Sequence, residues 1–233
     1  MRILHLLFLS TFFCSAEEVV FKGTTFRIVR AAPEKVRIAL KDEKGKFLHS
    51  LRAAKRHFEK EGEKVTVIMN GGIYEPGLVP SGLYVENGKV LYPLNLKPGK
   101  GNFFLKPNGV FLIGGKPLKA SVVTSKEYQG EGVQLAVQSG PILLRGGRVH
   151  PAFNEGSKSK LVRNGVGVDA EGRVVFALAD RENKCNLWTF AKLFEHLGCK
   201  DALYLDGTIS KLELNPKDGL TGQGFATMLA IVE

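Results

Sequence analysis

The stretch GVGVDAEGRVVFALA, Gly165 to Ala179, carries two incompatible readings. Its first six residues satisfy GxGxxA, a pattern that binds a pyrophosphate only where a strand turns into a helix whose N-terminus faces the phosphates. Here small and apolar residues alternate with a period of two and no helical pattern follows, so nothing in the stretch can supply that N-terminus. Glu171-Gly172 is instead a turn signal between two strand-like runs, 166–169 and 174–179, and predicts a hairpin. A dinucleotide-binding α/β domain is therefore excluded.

Working outward, 21–30 and 36–40 read as strands, and 65–69 as a short buried strand. A helix is predicted over 51–60, after Ser50, with Leu51, Ala54 and Phe58 on one face. Asn87-Gly88 is expected to join strands 83–86 and 90–92, and Asn108-Gly109 to join 103–106 and 110–113. In NLWTFAKLFEHLG, 186–198, Leu187, Phe190, Ala191, Phe194 and Leu197 recur at helical spacing and Gly198 closes the helix. Strands outnumber helices, and the helices are inserted between strands rather than alternating with them. The expected fold is α+β: one domain over 17–233 with a mixed, strand-rich sheet, hairpins and about two packed helices. No linker or internal repeat divides the chain.

The 233 residues are 44% hydrophobic and 24% charged, a balance that buries a full core and excludes disorder. Residues 1–16, MRILHLLFLSTFFCSA, place Arg2 before an apolar run and end in small residues, with Cys14 and Ala16 at the −3 and −1 positions of a cleavage site. This is the pattern of a secretory signal peptide, and the run is too short for the roughly 20 residues of a spanning helix. A secreted or periplasmic protein without a stable membrane span is expected. Its removal takes one charged residue from a chain of formal net charge +10 and leaves a basic surface suited to anionic partners. The chain has no RNP-type aromatic motif, zinc-finger spacing or dense basic arm, so nucleic acid is not expected and an anionic glycan or sugar phosphate is. Cys185 and Cys199 flank a helix of about 18 Å, whereas a disulfide needs Cα atoms within about 7 Å, so they should not pair.

Other motifs carry little. Ser157-Lys158-Ser159-Lys160 matches SxxK without the SDN or KTG that accompany it in penicillin-binding enzymes, and no GxSxG elbow is present. His49, His57, His150 and His196 form neither HExxH nor another zinc spacing, so neither a metal site nor a cofactor is expected.

Three segments share one grammar, a buried strand that stops at a polar residue beside glycine: VIMNGGIY with Asn70, AVQSGPIL with Ser139, and LYLDGTIS with Asp206. Strands that end this way deliver short polar side chains to one edge of a sheet on backbone held by the core. In KLVRNGVGVD, Arg163 precedes a strand and can grip an anion bidentately. Asp206-Gly207 also reads as a simple turn, in which Asp bonds its own backbone.

Taken in order, Asn70-Gly71, Pro80-Ser81-Gly82, Ser139-Gly140-Pro141, the run from Arg163 to Asp169, Leu197-Gly198 and Asp206-Gly207 make the chain resemble the phosphodiester glycosidase family, in a bacterial-type branch. Many members of that family carry Asp followed by three glycines and Ser, where this chain has Asp206-Gly207-Thr208-Ile209-Ser210. The resemblance thus implies the chemistry without implying the substrate: hydrolysis of a sugar-1-phosphodiester to free sugar and phosphomonoester by an exported hydrolase. A phosphomonoester is a good leaving group, so one carboxylate and a cationic clamp can suffice. Asp206 is the expected carboxylate, Arg163 the clamp and Glu75 the reserve carboxylate. Asn70, Gly71, Ser81, Ser139, Gly207 and Ser210 are the expected substrate-binding residues. The competing reading is a non-catalytic envelope protein that binds anionic glycan with the same sheet edge.

Overall fold

A computed structural model describes residues 15–217 and 224–233. Its strands begin with β1 (Ser15–Phe21), β2 (Thr24–Ala31) and β3 (Val36–Ala39), followed by helix α1 (Leu51–Lys60). Next come β4 (Val65–Asn70), β5 (Tyr74–Glu75), β6 (Val79–Pro80), β7 (Tyr84–Glu86), β8 (Lys89–Tyr92), β9 (Gly109–Gly114), β10 (Lys119–Thr124) and β11 (Val133–Ser139). The rest are β12 (Ile142–Arg145), β13 (Arg148–Val149), β14 (Asn164–Val168), β15 (Val174–Ala179), helix α2 (Leu187–His196), β16 (Asp201–Asp206), β17 (Leu212–Leu214) and β18 (Met228–Val232).

These form a seven-stranded sheet, β1-β2-β15-β14-β16-β12-β13, a five-stranded sheet, β10-β9-β11-β7-β8, a four-stranded sheet, β17-β4-β18-β3, and the small β5-β6 hairpin. The α+β class, the strand-rich single domain and the two helices are as expected. The single mixed sheet is not: every strand pairing described is antiparallel, because tight turns join neighbouring strands and neither helix serves as a parallel crossover.

Alternation along the strands builds three layers. Val29, Val166, Phe176, Leu203 and Leu205 of the seven-stranded sheet face inward against Val67, Met69 and Leu229 of the four-stranded sheet and Phe111 and Val137 of the five-stranded one. On the other face Phe26, Ile28, Val175, Ala202 and Tyr204 take the apolar side of α2, where Phe190 and Phe194 are fully buried, each contributing about 1.5–3 kcal/mol. The glycines of the rejected phosphate motif belong to this contact. A Cβ on Gly165 would meet Leu203 O at 2.8 Å, and one on Gly167 would meet Phe194 Cδ1 at 2.8 Å, so glycine lets the helix settle onto the sheet.

Both helices start where the residue types dictate. Ser50 Oγ accepts from Ala53 N and Asn186 Oδ1 from Thr189 N, and Gly198 takes the left-handed conformation that ends α2. Two local expectations fail. The strand expected over 21–30 forms from Thr24 as β2, but Phe21 ends β1 and the chain turns at Lys22-Gly23, with Lys22 at φ +48°; a lysine in the left-handed region gives no turn signal. The hairpin expected at Asn108-Gly109 does not form. Asn108 is buried and its amide donates to Phe103 O, while Gly109 opens β9 in extended conformation.

Residues 1–14, most of the expected leader, lie outside the described residues. Among the described residues no helix is long and apolar enough to cross a membrane. Cys185 and Cys199 are both free, as the intervening helix requires, and burial pushes each thiol up to about 12.

Candidate active site

The end of β16, the start of β14 and the end of β4 meet where the seven-stranded sheet abuts the four-stranded one, and each delivers a polar side chain. Asp206 pairs in register with Asn164, across a bulge in the β14–β16 ladder, and Asn70 comes from the facing sheet. Asp206 is 9% exposed. Its Oδ1 accepts the backbone N–H groups of Gly207, Thr208 (2.8 Å) and Ile209 (3.4 Å), and its Oδ2 accepts Asn70 Nδ2 at 3.0 Å. A carboxylate has about four lone-pair directions, and among the described residues Oδ2 is hydrogen-bonded by Asn70 alone.

The two amides are locked. Asn70 Oδ1 accepts Lys211 N at 2.7 Å, and since a backbone N–H can only donate, the orientation of Asn70 is determined and its NH₂ must face Asp206. Asn164 Nδ2 donates to the Asn70 carbonyl (2.7 Å) and to Asn70 Oδ1 (3.1 Å), and Asn164 Oδ1 accepts Ser210 Oγ at 3.3 Å. Ser210 thus helps to hold the hub from the returning chain.

Arg163 points to the opposite face of the sheet from Asn164, as successive strand residues do. It is 1% exposed, with Nε donating to Cys185 O and Nη2 to Ser159 O, both at 2.9 Å. Its Nη1 is buried and makes no hydrogen bond of good geometry, although the Arg163 side chain lies close enough to the Tyr204 hydroxyl to lower that group's pKa as a hydrogen bond does. The guanidinium lies 5.5 Å from the Tyr204 ring centroid. A Cβ on Gly207 would sit 2.0 Å from Tyr204 Oη and 3.2 Å from Arg163 Nη1, so only glycine lets the Tyr204 hydroxyl pack against the chain here. Burial pushes the Tyr204 hydroxyl up to about 12, an effect that the Arg163 cation opposes and the Asp206 charge adds to. It stays protonated. Asn102 Nδ2 donates to its oxygen at 3.4 Å, which leaves its own proton to donate.

Asp206, Asn70, Ser210, Arg163 and Gly207 are thus brought together. Ser139 is not part of the lining: it is fully buried and its hydroxyl donates to Leu205 O, bracing β16 from behind. Gly71 donates its N–H to Thr227 O, and a Cβ there would meet Leu229 at 2.8 Å, a packing constraint. Ser81 donates to Glu75 Oε1 at 2.8 Å, and the two make a separate unit on the β5–β6 hairpin. Glu75 is exposed and makes no hydrogen bond to the Asp206 cluster, whereas burial and the Asp206 charge both raise the pKa of its neighbour Tyr74. Asn164, Tyr204, Asn102 and Tyr74 are the members that the sequence reading missed; Asn164 and Tyr204 lie within stretches already singled out, whereas Asn102 sits in a lysine- and glycine-rich loop with no signal. Among the described residues no group of three or more His, Cys, Asp or Glu side chains gathers to hold a metal ion.

An oriented carboxylate beside two donors, at the edge of a strand-rich α+β fold, makes up a buried polar cluster. The chain belongs to the phosphodiester glycosidase family, whose model matches residues 63–217 and so spans every residue of this cluster. It is 36% identical over 220 residues to Uncharacterized protein YigE of Escherichia coli strain K12, covering 90% of this chain and 83% of that one. Two solved structures are similar in fold. One is the zebrafish N-acetylglucosamine-1-phosphodiester alpha-N-acetylglucosaminidase catalytic domain, auto-inhibited by pro-peptide (TM-score 0.66, 16% identity, 94% of this chain and 82% of that one). The other is a hypothetical protein from Synechocystis (TM-score 0.55, 12% identity, 94% of this chain and 61% of that one).

Proposed function

We propose that the protein is an exported hydrolase that cleaves a sugar-1-phosphodiester to free sugar and a phosphomonoester, with Asp206 as the working carboxylate. The observation that carries this reading is the buried Nη1 of Arg163, without a hydrogen bond of good geometry, gathered with the Tyr204 hydroxyl beside Gly207, one residue from the carboxylate. Family membership and the leader-like residues 1–16 support it.

Water attacks the anomeric carbon and gives its proton to Asp206 Oδ2, the C1–O bond breaks, and its electron pair leaves on the phosphate oxygen. Arg163 Nη1 and the Tyr204 hydroxyl stabilise the charge that develops there, and Asn70 holds the carboxylate in place. Among the described residues Asp206 is the one carboxylate of the cluster, which favours a single-displacement, inverting route over a covalent glycosyl-enzyme, whose second step needs a separate base.

The test is a screen of the purified protein against sugar-1-phosphodiesters, simple phosphodiesters and ordinary glycosides, reading free sugar and phosphomonoester, with the anomer of the first-formed sugar followed by NMR. Release of sugar from the first class alone, with inverted configuration, is expected. Cleavage of simple phosphodiesters would move the chemistry from carbon to phosphorus. Binding of glycosyl phosphodiesters without turnover would favour the non-catalytic glycan-binding protein.

A further inference from the structure

A row of residues in register runs across the seven-stranded sheet: Glu18 opposite Arg27, Arg27 opposite Leu178, Leu178 opposite Asn164, and Asn164 opposite Asp206. Directly opposed residues share a face, so the row runs on the face away from Arg163 as far as Asn164, which is fully buried; from there the bulge intervenes and hydrogen bonds through Asn70 lead to Asp206. Its partly open stretch, Glu18 to Leu178, covers about 10 Å at about 4.8 Å per strand, more than one pyranose ring. Above its outer part lies a cleft of about 600 Å³ whose other wall is the segment from Ser210 to Glu213. Ser210 belongs to both, since its hydroxyl bonds Asn164, and Arg27 Nη1 ties the floor to the wall through Leu212 O at 3.1 Å.

The lining is charged but balanced. Arg27, Arg181 and Lys211 are matched by Glu18, Asp180 and Glu213. Glu18, Asp180, Arg181 and Glu213 make no ion pair among the described residues, although opposite charges stand across a single cleft. An anionic ligand would be repelled by as many groups as attract it. Hydroxyls suit such a lining, because each donates to a carboxylate and accepts from a guanidinium or ammonium group, and these charge-assisted bonds are the stronger ones. Leu178, which is partly exposed, supplies apolar surface for the C–H face of a sugar.

We infer that this cleft is an extended subsite for a neutral, hydroxyl-rich sugar chain on the glycone side of the scissile bond. The inference rests on the proposed function for its direction: phosphate on the Arg163 face, anomeric carbon at Asp206, and further sugars past Ser210 into the cleft toward Glu18. The substrate is then an oligosaccharide 1-phosphodiester rather than a lone hexose on phosphate.

Calorimetric titration of the purified protein with maltotriose, cellotriose and triacetylchitotriose, and with glucose 6-phosphate and inorganic phosphate, tests it separately from turnover. At least one trisaccharide should bind. Its affinity should fall about tenfold in both Arg181→Ala and Glu18→Ala, exposed positions outside the catalytic cluster, and persist in Arg163→Lys. If no trisaccharide binds, if neither cleft variant weakens binding, or if only the phosphates bind and Arg181→Ala abolishes that, the inference is overturned. Trisaccharide binding that follows this pattern in a protein inactive on every phosphodiester would sink the proposed reaction and leave the sugar-chain site standing.

Discussion

Exchanging the two partners of the Asn70–Asp206 bond separates the structural work of the carboxylate from its chemical work. In Asp206→Asn alone, the new side-chain oxygen can still accept the N–H groups of Gly207, Thr208 and Ile209, but its NH₂ then meets the NH₂ of Asn70 at 3.0 Å. Turning either amide makes matters worse, because each would present NH₂ to backbone N–H groups, including that of Lys211. A buried donor left without an acceptor costs about 1–3 kcal/mol, and 2 kcal/mol lowers the melting temperature of a domain this size by about 4–8 °C. Asn70→Asp alone sets two carboxylates against each other, so one must hold a proton. In Asn70→Asp/Asp206→Asn every donor has an acceptor again: the new carboxylate at 70 takes Asn164 Nδ2, Lys211 N and the new amide at 206. The double variant should melt within about 2 °C of wild type, while both it and Asp206→Asn lose a hundredfold or more in turnover, since the base has moved to the facing sheet. Thermal unfolding followed by circular dichroism and the phosphodiester assay read the two quantities. A double variant no more stable than Asp206→Asn refutes the donor assignment, and one with wild-type turnover refutes Asp206 as the working carboxylate.

Arg163→Lys should lose activity and about 2 kcal/mol of stability together, because an ammonium cannot serve Cys185 O, Ser159 O and the ligand at once; a urea midpoint equal to wild type would be the contrary result. Gly207→Ala should nearly abolish turnover by driving its methyl group into Tyr204 Oη, and adding Tyr204→Phe should recover folding stability but little activity. Burial pushes Glu86 up to about 7, against the hydrogen bond from Tyr84 and with help from the Glu61 charge. Because that folded value lies above the unfolded one near 4.5, the contribution is fully present below 4.5 and is lost as pH rises through 7. Wild type should therefore lose up to about 3 kcal/mol relative to Glu86→Gln between pH 4 and pH 8, and parallel urea midpoints would contradict this. For an exported form beginning near Glu17, intact mass and thiol labelling should find two thiols, Cys185 and Cys199, unreactive until the chain is unfolded; a third thiol would mean the leader is retained.

What could be read from the sequence was what local rules enforce. Helix α1 starts and ends where Ser50 and its apolar face predict, and the turn at Glu171-Gly172 lies where alternation on both sides demands it. The Asn108-Gly109 reading failed because the same dipeptide also serves at a buried strand start, where tertiary contacts rather than turn geometry select it. Of the site, Asp206, Asn70, Arg163 and Ser210 could be found because each ends or flanks a strand beside a glycine or at a return loop. Asn164 and Tyr204 could not, since their roles come from pairing across sheets and from a residue 41 positions away meeting Arg163. Ser139 obeys the same strand-end grammar as Asp206, yet its hydroxyl is spent on Leu205 O; one-dimensional grammar cannot tell a delivered side chain from one used as a brace.

The turn and catalytic readings of Asp206-Gly207 are consequently not rivals. The three N–H groups bound to Oδ1 hold the loop, and in holding it they orient Oδ2 toward Asn70. A carboxylate that anchors its own turn reaches the site without choosing among rotamers, and so its ordering cost is met during folding rather than during turnover. The same turn needs glycine at 207 for a reason unrelated to φ: a side chain there would collide with the Tyr204 hydroxyl beside Arg163 Nη1. Thr208 and Ile209, where the family more often has glycine, lie beyond that contact and contribute backbone N–H groups to Oδ1, a task that any residue type but proline performs. The departure from the family pattern therefore leaves the carboxylate and its donors intact, and its effect should fall on which sugar is accepted.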